Sequence, residues 1–229
     1  MKKLLPLIAP FLIFLFSETS FSQTSLPSKF QSWNELQLVV PLKRKEDSSG
    51  KKVDLVTATF TGILRIGRKN WDFIDNRYGV TLDFRVNKYF SLTAAALYRK
   101  DELVVNRRNY ETRLDLGFVV AKTWKNFSFK DRNMYEHRFR NSRSDTNFYR
   151  NRITVSYPIK HREREIFAPF ILNEGYFDLK TKKWTQNEFF AGITRKITPK
   201  ISLDLAYIRN DSSPTNVNGF STSLKIKLR

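Results

Sequence analysis

The chain contains no cysteine and only two histidines in 229 residues. The first absence excludes a disulfide scaffold, thiolate chemistry and Cys-ligated zinc. The second leaves His137 and His161 as the only imidazole bases. No glycine-rich phosphate loop, metal-ligand cluster or nucleophile motif is present. Beyond the N-terminal segment no apolar run reaches about 18 residues, which argues against a transmembrane helix. Helical periodicity is poor as well.

What is present is positive charge and aromatic surface. Lys and Arg number 41 against 22 Asp and Glu, a net charge of +19, with 41% apolar and 14% aromatic residues. Such an aromatic chain is not that of a disordered protein.

The N-terminus carries an address. Met1-Lys2-Lys3 is followed by a mostly apolar run from Leu4 to Phe16 and by Ser20 and Ser22 at the −3 and −1 positions. A basic start, a short apolar core and small residues before the cut define a secretory signal peptide over residues 1–22. The core is short for a membrane anchor, the competing reading. No cysteine follows it, so lipoprotein processing is excluded. Cleavage after Ser22 leaves 207 of the 229 residues, and loss of Lys2, Lys3 and Glu18 takes the charge from +19 to +18. Export redirects that charge away from nucleic acid and toward lipid phosphates and acidic glycans.

Residues 23–229 read as a single domain of strands. Tyr78, Val80, Leu82, Phe84 and Val86 alternate with Gly79, Thr81, Asp83 and Arg85. Tyr110, Leu114, Leu116, Phe118 and Val120 oppose Glu111, Arg113, Asp115 and Gly117. The pattern returns around Phe60, Leu205 and Leu224. Period two over about ten residues is the signature of a membrane-barrel strand. A soluble sandwich or lipocalin-like barrel shares the alternation. The heavily charged polar face favours the membrane barrel. So do the connections, with tight turns at Asn87–Tyr89, Trp124–Asn126 and Thr198–Lys200. Longer polar segments lie at 43–52, 100–109, 140–147, 178–183 and 210–218.

The expected fold is therefore an all-β, antiparallel, up-and-down transmembrane barrel. Eleven segments qualify as crossings. Single-chain bacterial barrels are nearly always even, and 31–42 does not fit as an upward first strand, so ten strands are expected within a range of eight to twelve. In segment 126–139 the pattern places Asp131 and Asn133 on the apolar face of Phe127, Phe129, Tyr135 and Phe139, and a bulge that resets the register is expected there.

Several stretches also carry a resemblance. They are Trp33-x-Glu35, Tyr135-Glu136-His137-Arg138-Phe139-Arg140, Phe148-Tyr149-Arg150-Asn151-Arg152, Asn173-Glu174-Gly175-Tyr176-Phe177 and Asn187-Glu188-Phe189-Phe190-Ala191-Gly192. Over most of its length the chain resembles the domain-of-unknown-function family 2490, exported proteins of Gram-negative bacteria. The resemblance implies an outer-membrane barrel and no established activity. The ending Ile226-Lys227-Leu228-Arg229 lacks the terminal aromatic that many barrels carry as an insertion signal, so this signal is atypical and offset.

Charged residues on the polar faces are expected to line the lumen: Arg65, Asp83, Arg85, Glu111, Arg113, Asp115, Glu136, Arg138, Arg150, Arg152, Glu174 and Asp204. Arg77 and Glu188 share those faces. A lumen of about ten strands is narrow and largely filled by side chains. Arginine suits it because its planar fork pairs with carboxylates on neighbouring strands. Such a ladder is either a structural plug or an anion-binding, narrow-pore lining. Trp33, Trp71, Trp124 and Trp184 are expected in an interfacial belt.

Two other functions stay open. A membrane-embedded lipid-modifying enzyme would need His137 beside Ser142 or Ser144. A soluble periplasmic barrel would bind an anionic ligand. Clustered aspartates for a surface protease are missing, and no catalytic residue, metal or cofactor is assigned. The expected partners are outer-membrane lipids, their phosphates included, and the barrel-assembly machinery, with a monomeric state.

Overall fold

The structure, a computed structural model, describes residues 29–47, 50, 52–67, 72–104, 107–124, 127–162, 164–212 and 216–228. Residues 1–22, expected to be a signal peptide, and Trp71 lie outside them. The described chain is almost entirely strand. In order the strands are β1 (Lys29–Glu46), β2 (Lys52–Gly67), β3 (Asp72–Arg85), β4 (Phe90–Val104), β5 (Arg107–Trp124) and β6 (Phe127–Arg140). They continue with β7 (Thr146–Ser156), β8 (Ile159–His161), β9 (Arg164–Asp178), β10 (Lys183–Lys196), β11 (Ile201–Ser212) and β12 (Val217–Lys227).

Eleven of these close on themselves. Each pairs with its neighbours in sequence, β7 pairs with β9, and β8 is a short side ribbon on β9. The ring closes between β12 and β1, and that pairing is parallel, from Lys29 opposite Val217 to Val39 opposite Lys227. The barrel is thus mixed rather than fully antiparallel, with eleven strands rather than ten. Parallel closure is also what gives segment 31–42 a place. β1 runs in the same direction as β12, antiparallel to β2, so no upward first strand is needed.

Turn chemistry ends the strands. Asn87 Oδ1 accepts from the Tyr89 and Phe90 amides at 2.8 and 2.9 Å. Thr198 Oγ1 accepts from Lys200 and Ile201, and Asp178 Oδ1 from Lys180 and Thr181. These side chains satisfy turn amides that the ladder cannot reach.

The two rims do not differ as the loop lengths suggested. The strand directions put the connection 47–51 at the same rim as Asn87–Tyr89 and Thr198–Lys200, here called the lower rim. β4 and β5 extend to Val104 and from Arg107, so most of 100–109 is strand. At the opposite, upper rim the connections are about as short as the lower ones.

The outward face is largely apolar. Leu116 is 62% exposed, Phe60 50% and Phe220 59%, values no aqueous core would leave. Aromatic pairs gather near the strand ends: Tyr98 with Tyr110 and Phe177 with Trp184 above, Phe90 with Phe118 and Trp124 with Phe127 below. Trp33 departs from the expected belt. It points inward, 5% exposed, with the Arg65 guanidinium 3.3 Å above its ring and Gln31 accepting from its indole nitrogen.

The bulge expected in β6 is absent. Its register is continuous against β5 and β7 from end to end, so Asp131 and Asn133 remain on the outward face.

Candidate functional site: a carboxylate–arginine ladder in the upper lumen

Because side chains alternate along every strand, one charged position per strand recurs at similar height inside the barrel. The series starts on β3. Asp75, 1% exposed, takes Arg77 at 3.0 Å on its own strand and Arg99 of β4 at 3.2 Å, with Arg65 of β2 at 3.9 Å. Arg99 also reaches Asp101 at 3.3 Å and Glu111 of β5 at 3.9 Å. Glu111 accepts from Arg113 at 2.6 Å and from Arg140 of β6 at 2.9 Å. Arg113 lies 3.7 Å from Glu136.

Glu136 and Glu174 are the centre. Both are fully buried, at 0% exposure. Glu136 accepts from Arg138 at 2.5 Å and from Arg150 of β7. Arg150 also lies 3.5 Å from Asp115 and donates to Glu174 of β9 at 2.9 Å. Glu174 holds two further arginines, Arg132 at 2.8 Å and Arg152 at 2.5 Å. An unbroken chain of ion pairs thus runs from β2 to β9, across seven neighbouring barrel strands.

The composition of this chain matters. Nine arginines (65, 77, 99, 113, 132, 138, 140, 150 and 152) meet six carboxylates (75, 101, 111, 115, 136 and 174). Arginine supports this because its fork can donate to two or three acceptors while its flat face stacks. Arg138 lies 4.2 Å over Phe148 and Arg150 lies 4.7 Å over Tyr176. Like charges also meet: Arg132 stands directly opposite Arg152, and Arg113 opposite Arg138. The shared carboxylates offset that repulsion.

Of the residues singled out from the sequence, Arg65, Glu111, Arg113, Asp115, Glu136, Arg138, Arg150, Arg152 and Glu174 come together in this chain. Asp83, Arg85 and Asp204 do not join it. Asp83 lies lower and accepts from Thr93 at 2.7 Å. Arg85 is exposed at the lower rim, donating to the Asn87 carbonyl. Asp204 faces the lumen from β11, on the far wall. Five members escaped the sequence reading: Asp75, Arg99, Asp101, Arg132 and Arg140. Asp101 and Arg140 sit where loops were expected, and the expected bulge in β6 obscured the face of Arg132. A strict count of two from Glu111 and Glu136 would have found all but Asp75.

Below the ladder the inward positions are smaller. Thr57, Thr59, Thr61, Thr81, Gly117 and Ala206 line that half, with Lys130 and Lys225 among them. At the lower rim, Lys45, Val53, Leu55, Arg85 and Lys88 surround a shallow hollow.

The hydrolytic arrangement does not assemble. His137 faces outward, its Nδ1 2.5 Å from Asn147 Oδ1 and its Nε2 4.0 Å from Asp145. Its ring nitrogens are thus turned to Asn147 and Asp145 and not to Ser142 or Ser144. No group of three or more His, Asp or Glu side chains placed to hold a metal occurs among the described residues.

A closed barrel with an apolar exterior and a lumen bridged by paired charges is the class that fold and site define. Within that class the chain belongs to the family described as protein of unknown function (DUF2490), whose profile matches residues 30–219. Two solved structures are similar. One is an anion-selective porin from Comamonas acidovorans, at 11% identity over 77% of this chain and 57% of that one, with a TM-score of 0.37. The other is the NanC porin, at 15% identity over 85% of this chain and 99% of that one, with a TM-score of 0.43. The chain spans just over half the length of the first. Among curated proteins none matches.

Proposed function

We propose that this protein is an outer-membrane barrel whose lumen is stoppered in its upper half by the arginine–carboxylate ladder. In this reading it passes little current, and what passes is anionic. The carrying observation is the Glu136–Arg150–Glu174 bridge, in which two fully buried carboxylates share one guanidinium. Both oxygens of Glu136 and of Glu174 are paired with arginine, so the ladder holds as a unit. The excess of arginine over carboxylate sets the sign of the residual field. A conducting path that opened here would be lined by donors and would favour anions.

Membrane placement is supported by the exposed Leu, Phe and Tyr residues between two aromatic bands, since closed barrels meet lipid with such a surface. The lower rim adds the exposed side chains of Lys45, Arg85, Lys88 and Lys200, and such basic groups suit lipid phosphates. Insertion would pass through the barrel-assembly machinery after removal of residues 1–22.

Single-channel recording in planar bilayers tests the proposal. Wild type is expected to show small, anion-preferring events. Glu136→Ala frees Arg113, Arg138 and Arg150 and is expected to give larger, more anion-selective ones. A large cation-selective wild-type conductance would make the protein an open channel and end the stopper reading.

A further inference from the structure

The outward face is not uniform. From β2 to β5 the positions between the aromatic bands are apolar, among them Phe60, Val80, Leu82, Ala94, Leu114 and Leu116. From β6 to β10 they carry Asp131, Asn133, Asn151, Asn173 and Asn187. Elsewhere the outward positions carry a neutral group beside the parallel seam, Ser32 and Asn34 with Thr222 and Asn218.

These five side chains form one stripe. Asn133 stands opposite Asn151, and Gly175 lies between Asn151 and Asn187 in the ladder. Asn151 Nδ2 donates to Asp131 at 2.7 Å and to Asn133 at 3.0 Å. Asn133 Nδ2 donates to Asp131 at 3.0 Å, and Tyr149 donates to Asn133 Oδ1. Asn187 donates to Asn173 at 3.0 Å. The stripe lies inside the upper aromatic band, below Tyr135, Tyr149, Phe177 and Trp184.

The internal bonds do not use up the stripe. Each Asn amide offers two donors and an acceptor with two lone pairs. Asn173 spends only its oxygen and Asn187 only its nitrogen on the other. Acyl chains cannot take the remaining donors and acceptors, and a polar group left facing them is costly. A charged group such as Asp131 at mid-strand makes the cost larger.

We infer that this sector is the membrane-embedded contact between two copies of this chain. The amides argue for a second copy over another partner. A two-fold interface must complement itself, and a patch of one charge sign cannot do so, whereas amides both donate and accept. An axis along the membrane normal, near the β7–β9 pair, sets β6 of one copy against β10 of the other. Asp131 then faces the Asn187 amide of the second copy, and two Asp131 carboxylates do not meet. The inference rests on the membrane placement proposed above, and the expectation of a monomer gives way to it.

The lack of native cysteine makes the test direct. Asn173→Cys and Leu82→Cys proteins are oxidised in native outer membranes, and the mass of wild type in mild detergent is measured by light scattering. Disulfide-linked dimers from Asn173→Cys but not from Leu82→Cys, and a two-copy mass for wild type, are expected. The triple variant Asn133→Leu, Asn151→Leu, Asn187→Leu should fall to a single-copy mass while keeping its folded gel mobility. A single-copy wild-type mass without crosslinks from Asn173→Cys overturns the inference. Equal crosslinking from both positions does so too, as does lipopolysaccharide or a different protein held on this face of a single copy. A monomer that still requires detergent defeats only the dimer. A protein soluble without detergent defeats the membrane placement with it.

Discussion

Glu136 on β6 and Glu174 on β9, with β7 between them, are held by the same guanidinium: Arg150 donates to Glu136 through Nη1 and to Glu174 through Nη2 at 2.9 Å. Neither carboxylate has any exposed surface. The two positions bear unequal loads. Glu174 retains Arg132 and Arg152 if Arg150 is lost, whereas Glu136 retains Arg138 and a more distant Arg113.

That asymmetry gives a ranking of variants. Arg150→Met leaves two buried carboxylates short of a partner and is expected to cost about 3–5 kcal/mol, the range for breaking a buried pair. Arg152→Met removes one of three arginines from Glu174 and is expected to cost clearly less. Urea midpoints read from tryptophan fluorescence in detergent micelles check the order. Equal midpoints would mean that Arg150 is not the bridge on which the ladder depends.

The face assignment is tested on adjacent residues of β5. Leu116 points outward at mid-strand, and arginine there is expected to cost about 2–4 kcal/mol near the membrane midplane. Asp115 points inward beside Arg150, so Asp115→Asn keeps the shape and loses one charge at a site with other acceptors. Folding yields into lipid vesicles should fall for Leu116→Arg and change little for Asp115→Asn. The reverse order would put lipid on the other face.

The seam offers a steric test. A Cβ on Gly219 would lie 1.9 Å from the Gln31 carbonyl oxygen across the parallel β12–β1 pair, whereas one on Gly62 meets nothing within 4 Å. Gly219→Val is therefore expected to prevent closure and abolish the compact, heat-sensitive gel species, and Gly62→Ala to leave it intact. Retention of that species in Gly219→Val would place the closure elsewhere.

Wild type itself should migrate differently before and after boiling and should fractionate with outer membranes. A ring with no free strand edge resists detergent until heated, because its backbone hydrogen bonds are all internal. Identical mobility in both samples, together with detergent-free solubility, would favour a soluble barrel.

Much of this was legible along the chain because strand faces are local. Side chains alternate with every residue, so Tyr78–Val86 and Tyr110–Val120 declared an apolar and a charged side without reference to any partner. Glu111, Arg113, Glu136 and Arg138 could be assigned inward for the same reason. Asp131 could not, since its pattern conflicts with its apolar neighbours along the chain and only the fold brings Asn151 beside Asn133 to supply its hydrogen bonds. Trp33 likewise reads as an interfacial anchor along the chain, whereas in the fold Arg65 stacks upon it. Alternation settles which side of a strand a residue occupies. It carries no information on which strand lies beside it, because pairing joins residues distant in sequence. The parallel union of β1 with β12, the count of eleven, and the sharing of Arg150 between Glu136 and Glu174 are all products of closure. Closure alone brings together the first and last strands and decides which charges must neutralise one another away from water.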